Sequence, residues 1–149
     1  MAFELTTKET IDTFSFGLNF IEECDKRFSK KTKDTPGIEA AIWSVIEGDV
    51  LGIIEVLSFA SVQENRLTKK TIGERFDDYV EGAGGLEEFY KLLVEELITS
   101  NFTKAVTGRV QKQHKMVTEA SEHQTKALAY QAELNELETK RALETLKAK

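Results

Sequence analysis

Two histidines and one cysteine are the residues whose types most directly suggest chemistry, because imidazoles and thiolates bind zinc and act as bases or nucleophiles. His114 and His123 are nine residues apart, and on a helix, where each residue advances about 100°, they point in opposite directions. A zinc site needs three or four ligands, and no further His or Cys stands at ligand spacing. Cys24 lies in an apolar stripe, where a free cysteine usually packs as a small hydrophobe. We therefore expect no metal site, no cofactor and no catalytic thiol.

Acidic pairs and a glycine cluster complete the search for a catalytic signature. Asp77-Asp78 and Glu95-Glu96 could act as acid–base carboxylates, but adjacent helix residues diverge and no apolar pocket surrounds them to raise their pKa values. The glycines of residues 82–85 neither follow a strand nor precede a Lys-Ser or Lys-Thr pair, so they are not a phosphate loop. The lysines of the loop 29–33 are expected to be solvent-exposed. The sequence thus predicts a protein that is not an enzyme.

The composition indicates one helix-rich domain. The 149 residues include one Pro and one Cys and carry a net charge of −6, whereas average Pro usage would give roughly seven prolines. So few helix breakers favour a mainly α protein, and no stretch approaches the ~20 apolar residues of a membrane span. The first five residues lack the basic region and apolar core of a signal peptide, and a single Cys suits a reducing compartment. We expect a cytoplasmic protein that does not bind membranes.

The charge is unevenly distributed along the chain. Residues 1–102 carry 11 basic and 20 acidic side chains, whereas residues 103–149 carry 9 basic and 6 acidic ones. The acidic balance argues against nonspecific nucleic-acid binding, which depends on Lys and Arg at phosphates. The opposite net charges of the two segments would allow the tail to bind its own body or another copy. We place the boundary between body and tail near residues 101–108, and divide the chain between residues 102 and 103.

Short elements are expected at the N-terminal end. Residues 3–7 and 11–16 alternate apolar and polar side chains around a polar break, which predicts a small β-hairpin. A hairpin of this size needs a surface to pack on or the strand edge of a partner. A helix over 18–28 follows. The next helix is predicted to have Asp34 or Thr35 as its cap and Pro36 at its first position.

Three further helices complete the body. Residues 50–60, capped by Asp49, are apolar nearly all round, so this helix is either central in the domain or covered by a partner. Thr68 caps the next helix, which ends at a flexible break formed by the glycines of residues 82–85. Residues 86–98 give the cleanest amphipathic pattern in the chain.

Nothing interrupts a helix from residue 109 to residue 149, a length of about 60 Å at the usual helical rise. Apolar residues are sparse in this tail. Leu134 and Leu137 have the a/d spacing of a coiled coil, but Arg141 and Glu144 occupy the next such positions. The tail is predicted either to need a partner surface or to be disordered when free.

The expected fold is therefore mainly α, with a short N-terminal β-hairpin, a compact helical bundle and a long C-terminal helix. Residues 1–102 form the hairpin and the helical body, and residues 103–149 form a basic helical tail.

Several sequence blocks, taken in order, resemble the tail assembly chaperones of long-tailed phages and prophages of Gram-positive bacteria. The resemblance covers residues 1 to about 107, and no single block is specific. The blocks are FSFGLNFI at 14–21 with Asp25-Lys26 after it, IEGDV at 46–50, LTKK at 67–70, FDDYV at 76–80 and NFTK at 101–104. The chain differs from the family pattern in the glycines of residues 82–85 and in the length of its tail.

This resemblance implies a non-enzymatic role in building a phage tail. Such chaperones bind the long, aggregation-prone tape measure protein in the host bacterial cytoplasm, keep it soluble and help to bring tail tube subunits to it. They are absent from the finished virion. Many relatives also exist as a longer product of ribosomal frameshifting, whose extra domain contacts the tail tube protein. The resemblance therefore implies the tape measure protein and the tail tube protein as partners, and the acidic charge balance leads us to expect no nucleic acid.

A chaperone of helical segments needs exposed apolar stripes, and many copies along one client would need a surface for self-association. We expect the tail to contact the tape measure protein or a neighbouring copy through five apolar residues: Val110, Val117, Leu128, Leu134 and Leu137. Two other functions stay open at this point. One is a structural head–tail connector or tail-completion protein, and the other is a nucleic-acid-binding regulator that uses the basic tail as its arm.

Overall fold

The computed structural model describes residues 3–147, and the side chains of residues 3–145. In this part of the chain two strands precede six helices. They are β1 (Phe3–Thr6), β2 (Ile11–Phe14), α1 (Leu18–Arg27), α2 (Gly37–Ile46), α3 (Val50–Ala60), α4 (Lys69–Ala83), α5 (Leu86–Thr99) and α6 (Lys104–Lys147). The mainly α fold with an N-terminal hairpin and a long C-terminal helix is confirmed. The chain divides into two compact units, Met1–Gln111 and Lys112–Lys149.

The hairpin pairs β1 and β2 in antiparallel register, with Phe3 opposite Phe14 and Thr6 opposite Ile11. A hairpin this short is marginal alone, and the far edge of β2 gains support from the chain that follows α3. The Ser15 amide donates to the Ala60 carbonyl at 2.8 Å, and the Val62 amide donates to the Thr13 carbonyl at 3.1 Å. The body itself therefore pairs both edges of β2.

The two apolar residues of β2, Ile11 and Phe14, lie on opposite faces of the strand. Asp12 and Phe14 face the core, at 2% and 0% exposure, whereas Ile11 is 65% exposed. Phe14 packs edge-on against Tyr79 of α4, with ring centroids 6.3 Å apart. A carboxylate therefore enters the core where the sequence suggests an apolar side chain.

Asp12 joins the hairpin to the rest of the body through three donors. Its Oδ1 accepts from Arg75 Nη1 at 2.7 Å and from Gln63 Nε2 at 3.2 Å, and its Oδ2 accepts from the Tyr79 hydroxyl. Burial and the hydrogen bond to Asp12 raise the pKa of Tyr79. A buried carboxylate needs such partners, because leaving its charge unpaired would cost several kcal/mol.

Helices α1 and α2 approach as closely as glycine permits. A Cβ at Gly37 would lie 2.0 Å from the Cys24 carbonyl oxygen, so any larger residue would force the helices apart. The predicted capping of α2 was wrong: Pro36 is the N-cap and makes no side-chain cap bond. Instead Asp25, from the end of α1, accepts from the Ile38 amide at 2.9 Å. The close helix contact makes this cap from a neighbouring element possible.

Of the two alternatives for the apolar helix α3, a central place in the domain is the one observed, since α3 contacts α1, α2 and α4. Its one charged residue, Glu55, is 5% exposed. The two carboxylate oxygens accept from the Ser29 amide at 2.8 Å and from the Ser29 hydroxyl at 2.7 Å. Glu55 therefore holds the loop after α1 against the core.

Lys30 and Lys31 of that loop are exposed, but both bind neighbouring groups of the body. Lys30 forms an ion pair with Asp49. Lys31 donates to the carbonyls of Asp25 and Lys26 at the end of α1, where a cation is favoured by the helix dipole. Asp49 remains the N-cap of α3 but makes no side-chain cap bond. Lys30 and Lys31 thus bind groups at the start of α3 and the end of α1 within the body.

Helices α4 and α5 form a tight hairpin. Thr68 is the N-cap of α4 as predicted, and its hydroxyl accepts from the Thr71 amide. The predicted flexible break is a turn in which Gly84 ends α4 at φ +96° and Gly85 precedes α5 at φ +121°. Both values favour glycine. Phe76 and Phe89 then pack edge-on across the pair, 5.2 Å between centroids.

The first unit extends past the predicted boundary at 102/103. Helix α6 begins at Lys104, one residue after the start of the predicted helical tail and five residues before the uninterrupted stretch that begins at residue 109. The hydroxyls of Thr103 and Thr107 donate to the Leu97 carbonyl at 2.7 and 3.4 Å, and Val110 is fully buried. These contacts make the start of α6 part of the body.

The charge contrast weakens when the chain is divided where the structure divides it. Residues 1–111 carry 13 basic and 20 acidic side chains, and residues 112–149 carry 7 basic and 6 acidic ones. The net charges are therefore −7 and +1 rather than −9 and +3. Most of the excess positive charge assigned to the tail belongs to the body, which argues against simple charge attraction between tail and body.

Replacing Asp12 by Ala should destabilise the fold by about 3 kcal/mol, because Tyr79 and Arg75 would lose a buried acceptor. Gln63→Ala is the matched control: it removes only the longest of the three bonds and should cost under about 1 kcal/mol. Urea unfolding followed by circular dichroism measures both. Equal losses for the two variants would contradict the role given to Asp12.

The buried thiol of Cys24 should make stability fall at alkaline pH. Burial raises its pKa, so above about pH 9 the unfolded chain loses the thiol proton while the folded chain keeps it. The free energy of unfolding then falls by about 1.4 kcal/mol per pH unit for this group. Tyr79 adds the same trend above about pH 10, since its pKa is also raised.

Cys24→Ala removes only the contribution of the thiol. The difference in unfolding free energy between the native chain and this variant should therefore shrink as the pH rises above about 9. Parallel stability curves between pH 7 and pH 10 would show that the thiol does not titrate differently in the two states.

Candidate functional site

The residues first considered for chemistry are not brought together. Among residues 3–147, no group of three or more His, Cys, Asp or Glu side chains could hold a metal ion. Cys24 is fully buried in the core, which confirms its predicted place there, and burial raises the pKa of its thiol. Asp77 and Glu95 are exposed on α4 and α5. Over the same residues, no helix is long and apolar enough to span a membrane.

The five apolar residues predicted to bind a partner do not form one surface. Val110 is fully buried in the core of the first unit, so it is removed from the candidate surface. Val117 and Leu128 are exposed and eleven residues apart, which places them within about 20° of each other around a helix. Leu134 is half-buried and Leu137 is exposed. These two lie about 120° and 180° around the helix from Leu128.

An apolar groove on the body is a stronger candidate that the sequence reading missed. It has a volume of about 480 Å³ and lies where the turn between α2 and α3 meets the start of α5. Its lining is mostly apolar: Ile46, Val50, Ile53, Leu86, Phe89 and Tyr90, with Glu47, Gly48 and Glu87 completing it. We call this surface the α3–α5 groove.

The base of the α3–α5 groove is fixed and its rim is exposed. Ile53 and Phe89 are buried beneath it, and the Tyr90 hydroxyl donates to the Ile46 carbonyl. Burial raises the pKa of Tyr90. Val50 and Leu86 are 37% and 52% exposed. A rigid floor with apolar residues on its edge is the arrangement that accepts an amphipathic helix.

The signal for this groove lies in two sequence features that were read separately. Residues 50–60 are apolar nearly all round, and the amphipathic stripe of α5 begins at Leu86. Most apolar residues of α3 and α5 are buried in the core, but the first turn of each helix also carries exposed apolar side chains. Only the tertiary arrangement brings those two turns together.

Two clefts of about 370 and 420 Å³ flank residues 15–17, after β2. Their linings are more polar than that of the α3–α5 groove. Ser100 Oγ donates to the Phe16 carbonyl at 3.0 Å and holds the end of α5 beside the second cleft. Exposed Leu18 and Val62 lie at the first cleft and Phe102 at the second. This region offers a smaller and more divided apolar surface.

Comparison with known proteins identifies the family to which the body belongs. Residues 4–112 match the family model of the phage tail assembly chaperone protein, TAC. No curated protein matches the chain, and no solved structure does. The matched segment coincides with the first unit, which ends at Gln111. The chain therefore belongs to the phage tail assembly chaperone family.

Proposed function

We propose that the protein binds the tape measure protein during phage tail assembly, keeps it soluble and helps to bring tail tube subunits to it. The α3–α5 groove carries this proposal, because it joins exposed apolar residues to a rigid floor. Membership of the chaperone family supports it. The role requires binding surfaces and no catalytic group. It would be performed in the host cytoplasm, and the protein would not stay in the virion.

The groove suits a client that is an amphipathic helix. A helix laid in a groove buries apolar side chains three, four and seven residues apart. Val50 and Leu86 would contact that stripe from the two sides of the groove. Glu47 and Glu87 are exposed on its lining, so a client helix with basic residues beside its apolar stripe would fit best.

The tail would add a second contact outside the body. Val117, Leu128, Leu134 and Leu137 remain candidates for binding either the tape measure protein or a neighbouring copy. A longer frameshifted product, where one is made, would supply the contact with the tail tube protein. The body would then be common to both forms.

Leu86→Glu should abolish most of the solubilisation of the tape measure protein, because it places a charge where an apolar client side chain would be buried. The soluble fraction of tape measure protein, co-expressed with each variant, measures the effect. Leu92→Glu is the matched control, since Leu92 lies on the same helix, is 44% exposed and does not line the groove. Equal soluble yields for the two variants would remove the groove from the client-binding surface.

Truncation after Gln111 tests the tail separately. The shortened chain keeps Thr103, Thr107 and Val110 in the core, so it should unfold at nearly the same temperature as the full chain. Co-purification with the tape measure protein should decrease if the tail contacts the client. Undiminished co-purification, with a normal thermal unfolding curve, would eliminate the tail as a client-binding element.

A further inference from the structure

The second unit carries a regular stripe that the apolar residues alone do not reveal. Seven side chains recur alternately four and three residues apart along α6: Met116, Ala120, His123, Ala127, Tyr130, Leu134 and Leu137. A strict seven-residue repeat of this kind keeps to one face of a helix that pairs with another helix. We call this face the tail seam.

The tail seam is open to solvent along its length. Met116, Tyr130 and Leu137 are 60%, 64% and 52% exposed; Ala120, His123 and Ala127 are also exposed, and Leu134 is half-buried. A long helix without tertiary packing is marginal in water. A stripe this narrow is typical of the seam of a coiled coil, whereas a helix that packs on a globular core has a wider apolar face.

The charges beside the seam alternate in sign. In the heptad abcdefg, the a positions are Ala120, Ala127, Leu134 and Arg141. The residue before each of them occupies a g position, and these g residues are in turn Glu119, Lys126, Glu133 and Lys140. Charges at these positions set the orientation of paired helices. In a parallel pair each g residue would face the side chain five residues further along the second copy. Glu133 would then face Glu138, which repels it, and Lys126 would face the neutral Gln131.

In an antiparallel pair the g positions of one copy face those of the other. One register places Lys126 opposite Glu133 and Glu119 opposite Lys140, and symmetry repeats each pair. A shift of one heptad in one direction would bring Lys126 against Lys140. A shift in the other direction would bring Glu119 against Glu133. Charge complementarity therefore favours this register over both one-heptad shifts.

The same register matches side-chain sizes across the seam. It places Ala127 opposite Tyr130 of the second copy and Ala120 opposite Leu137. A small residue faces a large one at both levels, which is how facing layers fill space without voids. Lys140 lies 3.9 Å from Glu136 within its own helix. Both of these side chains are exposed, so this contact is weak and does not compete strongly.

We propose that the tail seam binds the tail seam of a second copy in antiparallel orientation, with Ala127 of each chain opposite Tyr130 of the other. The paired segment from Ala120 to Leu137 would extend about 26 Å. This contact is independent of the α3–α5 groove and of the client that the groove binds. It is formed by side chains of the second unit alone.

Cysteine cross-linking in the full-length chain tests the orientation. Ala120→Cys and Leu137→Cys chains, mixed and mildly oxidised at low concentration, should form a disulfide-linked dimer, because these positions face each other. Each variant alone should stay unlinked, since two copies of residue 120 would be about 25 Å apart along the helix. The native Cys24 is fully buried and would not compete.

The control replaces Leu137→Cys with Thr125→Cys, a residue on the outer face of the helix, and should give no cross-link with Ala120→Cys. Linked dimers from either seam variant alone would indicate a parallel pair and overturn the proposal. Absence of cross-links in the mixture would overturn it as well.

Charge exchange tests the register. Lys126→Glu would oppose Glu133 of the second copy at two symmetric places and should weaken self-association roughly tenfold. The double variant Lys126→Glu/Glu133→Lys restores opposite charges and should recover the native dissociation constant, measured by sedimentation equilibrium. Lys115→Glu makes the same change of charge outside the g positions and should leave the constant nearly unchanged.

A native chain that stays monomeric up to its solubility limit would overturn the proposal, as would a double variant that is no better than Lys126→Glu. Replacing His123, the polar residue of the tail seam, provides an independent test. His123→Leu should strengthen the dimer, because it places an apolar side chain opposite Leu134. None of these measurements involves the tape measure protein, so their failure would leave the proposed function unaffected.

Discussion

The carboxylate of Asp12 is the interaction on which the body most depends. It brings together β2, the chain after α3 and the middle of α4, three segments distant in sequence. The hairpin is too short to be stable alone, and an apolar side chain at this position would pack without specifying a direction. Three donors converging on one carboxylate fix where the hairpin lies. Glu55 performs the same task for the loop after α1, so two buried acids position the least regular parts of the fold.

These two acids also mark where sequence reasoning stops. Periodicity located the hairpin, six helices and the Thr68 cap, because apolar spacing and capping residues are local signals. Asp12 and Glu55 are acids within apolar patterns, and their hydrogen-bond partners are 26 to 67 residues away in sequence, a separation that no local pattern encodes. The capping of α2 failed for the same reason, since its cap is Asp25 from another helix. The boundary of the body was placed early because Thr103, Thr107 and Val110 resemble tail residues in composition but pack as core.

The candidate binding surfaces show the same difference between what a local sequence pattern indicates and what only the tertiary structure reveals. The predicted apolar residues of the tail were read as a set, although the helical rotation separates Val117 and Leu128 from Leu134 and Leu137. The α3–α5 groove could not be read from one element, because it forms where the first turns of two helices meet. The exposed rim of the groove and the exposed apolar residues of the tail lie outside the core of the body. In a protein that belongs to an assembly chaperone family, such residues are the natural place for client and partner contacts.

The pairing of β2 on both sides has a consequence for the protein's own solubility. An open strand edge invites further strands from other chains, which is how many proteins aggregate. Here the end of β2 is covered on its far edge by the chain after α3, and β1 is four residues long with Glu4 and Thr6 as its exposed side chains. A short edge that carries a carboxylate is a poor template for strand addition. The protein's own sheet is therefore a poor starting point for aggregation between copies.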